Sequence, residues 1–295
     1  MKNSIVFLFI SISFLSNAQI LTIGREEKFK LSHAQVSFGG IGSSGESYWM
    51  QDYKLLAPNS AILNKGFESF SQDGFFYGRD MNEGSNFSAQ IILSKPLNRT
   101  KNTLQIRAGL LYGGKRSNSK TYSKTDQFAY DTLRSTNTGK EYYIDSISTI
   151  YRSMNYSFES IGLDGSFVFQ TDESRRLSVF FGAGLNFGLT FNGQTRINEG
   201  SYYYLSDSRN YYYDFSKQTS EREEEIFKNK SGQYLAAYIP LGVSLRLAKK
   251  AAGWNQIYFF SEMRPGINFQ FSPELDTKVI SSFTGLMGIR LKLNG

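Results

Sequence analysis

The chain has no cysteine, a single histidine and only five prolines in 295 residues. Without cysteine there is no disulfide framework, no thiolate-ligated metal, no thiol nucleophile and no lipidated N-terminal cysteine. His33 alone rules out a histidine-cluster metal site. Past the first twenty residues, no run approaches the eighteen or so consecutive apolar residues of a membrane-spanning helix. Charged residues make up 20% of the chain and aromatic residues 16%, which is too aromatic and too uncharged for a disordered polymer. What the chain has in quantity is Phe (25), Tyr (19) and Gly (27). Its length suits one or two ordinary domains, or one large β-barrel.

Residues 1–19 read MKNSIVFLFISISFLSNAQ. One Lys, an apolar stretch from Ile5 to Leu15 and small residues at Ser16 and Ala18 have the layout of a secretory signal peptide. Cleavage is expected between Ala18 and Gln19, leaving 19–295 as one β-barrel domain exported from the cytoplasm. Loss of Lys2 lowers the formal charge from +7 to +6.

From Ala34 onward the sequence alternates with period two, the signature of half-buried strands. In Leu177–Phe191 the odd positions are apolar throughout, and the even ones read Ser178, Phe180, Gly182, Gly184, Asn186, Gly188 and Thr190. Leu235–Leu247, Ile257–Phe271 and Phe283–Leu293 repeat the pattern. Shorter copies lie at Ala34–Gly40, Phe87–Leu93, Leu104–Tyr112 and Tyr156–Phe169, giving eight predicted strands. A tilted strand needs about 9–11 residues to cross a bilayer, more than the five or six of a mean soluble strand.

The connections alternate between long and short, the asymmetry of outer-membrane barrels with tight periplasmic turns and large extracellular loops. Gly40–Phe87 is expected to be a long polar loop, and Tyr112–Tyr156 and Phe191–Leu235 long loops. An even strand number puts both termini on the periplasmic side. The predicted fold class is therefore all-β, an antiparallel up-and-down transmembrane β-barrel of eight strands with long extracellular loops. Paired loop hairpins leave ten as the alternative count. Pro240 and Pro265 fall inside predicted strands, where a missing N–H implies a bulge or bend.

Within the spans, Arg107, Asp164, Arg246, Glu262, Arg264, Arg290 and Lys292 fall opposite the greasy face. A lipid-facing Arg or Lys at mid-bilayer costs about 2–4 kcal/mol, whereas inside an eight-stranded barrel, which has room only for side chains, it can pair. The expected lumen is filled by Arg and Lys with Asp, Glu, Gln and Asn.

The NAQ ending of the leader, the eight alternating segments, the Phe/Tyr/Gly-rich composition and the last strand, FTGLMGIRLKLNG, resemble small outer-membrane β-barrel proteins of Bacteroidota, the porin-family or PorT-like barrels. That resemblance spans residues 19–295 and is architectural, without a diagnostic motif. The chain ends in Gly295, where other Gram-negative barrels commonly end in Phe. The likeness implies outer-membrane location, folding through the outer-membrane assembly machinery and, for PorT-like members, an accessory role in protein secretion.

Little in the sequence points to catalysis. One His at a strand start does not make a triad, and the glycine pairs follow barrel walls better than phosphate loops. The acidic run 221–225 lacks the spaced oxygens and glycine of a calcium loop and reads as a solvated charge run. No cofactor and no metal is implied. Tyr and Trp punctuate the long loops, and Trp49, Tyr203 and Tyr212 are candidate recognition residues; the same residues also suit an interfacial aromatic girdle. Tyr202–Tyr204 and Tyr211–Tyr213 flank a turn and predict a projecting hairpin. No basic cluster lies on a nucleic-acid-binding motif, so lipopolysaccharide phosphates or lumen ion pairs are the expected partners of the basic charge, with another envelope protein for the loops and, as the resemblance implies, the assembly machinery. The function expected is a non-enzymatic outer-membrane barrel presenting loops, with a small-solute channel or a secretion accessory as alternatives.

Overall fold

All eight alternating segments are strands, and the strands close on themselves. The computed structural model describes residues 29–44, 48–72, 82–97, 101–207, 212–213, 222–248 and 254–293; the expected signal peptide lies outside them. The staves are β1 (Lys30–Ser44), β2 (Asn82–Pro96), β3 (Thr103–Arg134), β4 (Glu141–Gln170) and β5 (Leu177–Asp207). They continue with β6, in three pieces (Arg222–Lys228, Gly232–Tyr238 and Leu241–Arg246), then β7 (Ile257–Phe271) and β8 (Lys278–Lys292). Every stave is antiparallel to its sequence neighbours. β8 pairs with β1 from His33↔Lys292 to Ser44↔Ser281, completing a ring of eight. Closure leaves the ring no free edge.

The pleat sorts side chains onto two faces. Outward stand Phe38 (67% exposed), Leu163 (65%), Phe167, Leu185, Met287 and Ile289. Inward stand Gln35, Gln90, Arg107, Asp164, Glu262 and Arg290, all buried. A water-soluble barrel would do the reverse, since exposing a continuous apolar belt to water has a large hydrophobic penalty. This is the transmembrane type of barrel, with hydrocarbon as the solvent of its outer wall. On one edge the belt ends where Tyr112 Oη donates to Glu159 at 2.7 Å and Asn192 Nδ2 donates to the same carboxylate at 3.2 Å.

Beyond that edge the structure departs from the expected loops. β3 continues past Tyr112 to Arg134 and β4 begins at Glu141, so Tyr112–Tyr156 is largely a paired hairpin rather than a loop. At about 3.4 Å per residue its arm has a contour of roughly 70 Å. β5 likewise runs on to Asp207, and the Arg222–Lys228 piece of β6 pairs with it. The predicted hairpin is present, with Leu205↔Tyr213 and Ser206↔Tyr212 in register. It extends β5 and adds no stave, so the count is eight.

The Gly40–Phe87 connection is also not simply polar. It carries α1 (Met50–Leu56) and α2 (Ala61–Asn64), whose Tyr53, Leu56, Ile62 and Leu63 are buried. Pro240 does break its strand: β6 is interrupted at Ile239–Pro240. The gap is bridged by Gly182 N–H to Pro240 O (3.0 Å) and Ile239 N–H to Pro265 O (2.9 Å). Pro265 keeps its place in β7 opposite Phe283, so the ladder loses little.

Candidate functional site: a filled lumen and a covered mouth

The lumen is crossed by one connected layer of charge. Asp164 on β4 accepts from Arg264 Nη1 at 2.7 Å, from Gln90 Nε2 at 2.5 Å and from the Tyr238 hydroxyl. Glu262 on β7 accepts from Arg264 Nε at 2.5 Å and from Arg107 Nη1 at 2.7 Å. All four charged residues are nearly or wholly inaccessible, Arg107 at 0%. Buried charge survives only when paired and hydrogen-bonded; here Asp164 takes donors from three other staves, and Glu262 takes one from β3 and one from its own stave.

A second layer lies nearer the short-turn end. Arg290 donates to Gln35 Oε1 at 3.1 Å and to Gln170 Oε1 at 2.8 Å. Gln105 bridges Gln170 and Glu173, both at 2.7 Å. Burial holds the Glu173 carboxyl, in the β4–β5 turn, above its usual range against the pull of Arg290 and Lys292. Rings fill the remaining space: Arg107 lies 4.4 Å from the centroid of Phe180, and Arg290 lies 5.3 Å from Phe260. Such stacking lets a guanidinium sit against an apolar wall.

Of the predicted lumen residues, Arg107, Asp164, Glu262, Arg264 and Arg290 are brought together here. Arg246 is half-buried at the short-turn end, 6.0 Å from the Tyr258 ring, and Lys292 is exposed at the end of β8. The sequence reading missed the aromatic filling. Its signal was there, because Phe180, Tyr238, Tyr258 and Phe260 stand in the polar phase of their strands. It also missed the space they need: a Cβ on Gly184 would lie 2.3 Å from the Tyr238 ring, and one on Gly242 2.4 Å from Phe180.

The long-loop mouth is covered by the β1–β2 connection. Tyr48 packs against Tyr53 and Tyr156 at 6.2 and 5.5 Å between centroids, and its hydroxyl reaches down to Gln270 at 3.0 Å. Tyr48, Tyr53, Leu56, Ile62 and Leu63 form one buried cluster with Met154, Tyr156, Phe158 and Ile197 of the wall. Polar contacts fasten it. Lys278 donates to Asp52 at 2.7 Å, Asn229 Nδ2 to Leu56 O at 2.8 Å, and Lys65 to both Glu199 and Glu223 at 2.8 Å.

Glu225 takes the Ser60 hydroxyl and the Ala61 N–H, while Glu224 pairs with Arg196 at 3.0 Å. Three glutamates of the acidic run therefore have protein partners, and two of them hold the cover. That corrects the reading of 221–225 as a merely solvated run.

His33 is buried at the short-turn rim, with Nδ1 2.9 Å from Ser32 Oγ and Nε2 3.7 Å from Glu173. Ser32 is itself engaged with Ile92 O at 3.0 Å and Ser94 at 2.6 Å, so its hydroxyl is not presented to a substrate. Among the recognition candidates, Trp49 is half exposed with Lys120 Nζ 4.9 Å from its ring, and Tyr203 is exposed on the extended sheet. Tyr212 pairs with Ser206 through the backbone, and its side chain lies outside what is described. The extended sheet also exposes Phe128, Tyr130, Leu133 and Tyr143.

No protein-family model matches the chain, and no curated protein matches it significantly. Among solved structures, Neisserial surface protein A is similar over 89% of this chain and 97% of its own, at 12% identity and a TM-score of 0.31. Ail, the attachment invasion locus protein of Yersinia pestis, is similar over 89% and 99%, at 11% identity and a TM-score of 0.23. OmpT of Vibrio cholerae is similar over 93% and 100%, at 8% identity and a TM-score of 0.16. At such scores these likenesses add nothing to the fold, which rests on the closed ring itself.

Proposed function

We propose that the chain is a non-enzymatic outer-membrane barrel that conducts no solute and acts through the sheet it raises beyond the membrane. In this reading residues 1–18 direct export and are removed, the short turns face the periplasm, and the β3–β4 hairpin and the end of β5 stand outside the cell. Lipopolysaccharide surrounds the belt, and the assembly machinery inserts it. One observation carries the proposal: the lumen is closed at two levels, by the Asp164–Arg264–Glu262–Arg107 layer and by the Tyr48–Tyr53 cover. A passage for solutes needs a continuous water path, and eight staves leave none once those side chains are in place.

Above the belt, Phe128, Tyr130, Leu133 and Tyr143 stay 43–63% exposed on a paired, rigid hairpin. Aromatic side chains on a fixed backbone lose little entropy on binding and suit recognition of another protein. A PorT-like accessory role in secretion would use the same surface.

The test has two arms. Purified barrel in planar bilayers should give no conductance steps, and photo-crosslinkers at Phe128 and Tyr143 should capture a protein partner in intact outer membranes. Capture should be lost in the Phe128→Ser, Tyr143→Ser double variant. Regular conductance steps, with no crosslink at either position, would replace this reading with a channel.

A further inference from the structure

Between the cover and the charged layer the lumen keeps a small chamber of about 40 Å³, walled by both apolar and polar side chains. Its wall includes Asn86, Arg116, Asn186, Tyr234, Arg264 and Thr284. Of the lumen arginines, Arg107 and Arg264 have Glu262 and Asp164, and Arg290 has its two glutamines with Glu173 nearby. Arg116 differs. It is 7% exposed, and its one hydrogen bond to a described residue is a long one, Nη2 to Asn86 at 3.4 Å. Its Nε has no acceptor, and the nearest ring, Tyr234, is 5.9 Å away. No carboxylate among the described residues pairs with it.

A guanidinium cannot shed its proton to escape burial, so a buried, unpaired one calls for a counter-charge. We infer that the chamber is a binding site for a small monovalent anion of halide type, held by Arg116. Size argues for that class. A chamber of this volume holds about three water-sized bodies, enough for a chloride with one or two waters and too little for a tetrahedral oxyanion with its hydration. The lining argues the same way, since the Asn86 and Asn186 amides and the Ser282 and Thr284 hydroxyls supply neutral polar groups and no further net charge. The site is independent of the recognition surface, and a partner for the hairpin is not needed for it.

Barrel refolded in chloride-free gluconate at constant ionic strength should gain several degrees in Tm as chloride or bromide is raised from about 1 to about 100 mM, because a ligand of the folded state alone stabilises by mass action. Arg116→Gln should abolish the halide dependence, and crystals grown in bromide should show an anomalous peak within contact of the guanidinium. If Arg116→Gln does not fold, the wild-type titration and the bromide peak still decide. A wild-type Tm indifferent to halide, a dependence unchanged in Arg116→Gln, or no bromide beside Arg116 would overturn the assignment.

Discussion

Arg264 Nη1 lies 2.7 Å from Asp164 Oδ2, although β7 and β4 are separated by two intervening staves. The bond spans the lumen, and both side chains are at least 95% removed from solvent. Asp164 also takes Gln90 and Tyr238, so one carboxylate ties together β2, β4, β6 and β7.

Asp164→Ala therefore leaves an amide, a phenol and one edge of the Arg264 guanidinium without their acceptor inside the lumen, while Arg264 keeps Glu262. Breaking a buried pair from one side costs about 3–5 kcal/mol. Urea unfolding in lipid vesicles should show a loss of that order. A loss under about 1 kcal/mol, the value of an exposed pair, would mean that water reaches this layer.

Gly184 makes the same layer possible by letting the Tyr238 ring lie flat on β5. Gly184→Leu should displace Tyr238, remove a donor from Asp164 and destabilise the barrel by about 1–3 kcal/mol, as overpacking does. Gly40→Ala is the control, because the nearest atom to its new Cβ is 3.7 Å away. Equal effects at both positions would remove the steric explanation.

The ring was legible in the sequence; of the sheet beyond the belt, only the hairpin between Tyr202–Tyr204 and Tyr211–Tyr213 was. Alternation from Leu177 to Phe191 and from Ile257 to Phe271 marks which side chains meet lipid, because hydrocarbon tolerates no charge on that face. Past the belt the outer face of the β3–β4 hairpin meets water instead of hydrocarbon, the constraint is gone, and polar residues sit on either side. Bulges add to this. Around Gly113–Arg116 the inward phase of β3 moves from Arg107 and Leu111 to Arg116 and Asn118, and β5 shifts at Asn192, whose φ is +54°. A period-two count stops at such a slip, which is why the predicted strands ended at Tyr112 and Phe191. The cover was missed for a different reason. Its helices have seven and four residues, too short for a helical period to register.

The cover should answer to pH. Burial alone would raise the Glu199 carboxyl, but hydrogen bonds from Lys65 and Arg152 hold it below its ordinary 4.5. Its stabilisation is thus present above that value and is lost as pH falls through the lowered folded value. Lys65 is raised above its ordinary 10.5 by hydrogen bonds to Glu199 and Glu223, so its contribution is intact below 10.5 and fades as pH rises beyond it. Trp49 emission, followed in a Trp254→Phe background, should stay flat from about pH 6 to 9 and shift below about pH 4. Glu199→Gln should flatten the acid limb; an unchanged acid limb would detach the cover from this clasp.

The account stands on which face meets the membrane. A single tryptophan placed at Leu163, with Trp49 and Trp254 replaced by Phe, reports this directly in vesicles of chain-brominated lipid. The prediction is strong quenching at Leu163, none for a tryptophan at Phe128, and none for one at Gln90 inside the lumen. Quenching at Gln90 with an unquenched, water-exposed Leu163 would turn the barrel inside out and contradict the account.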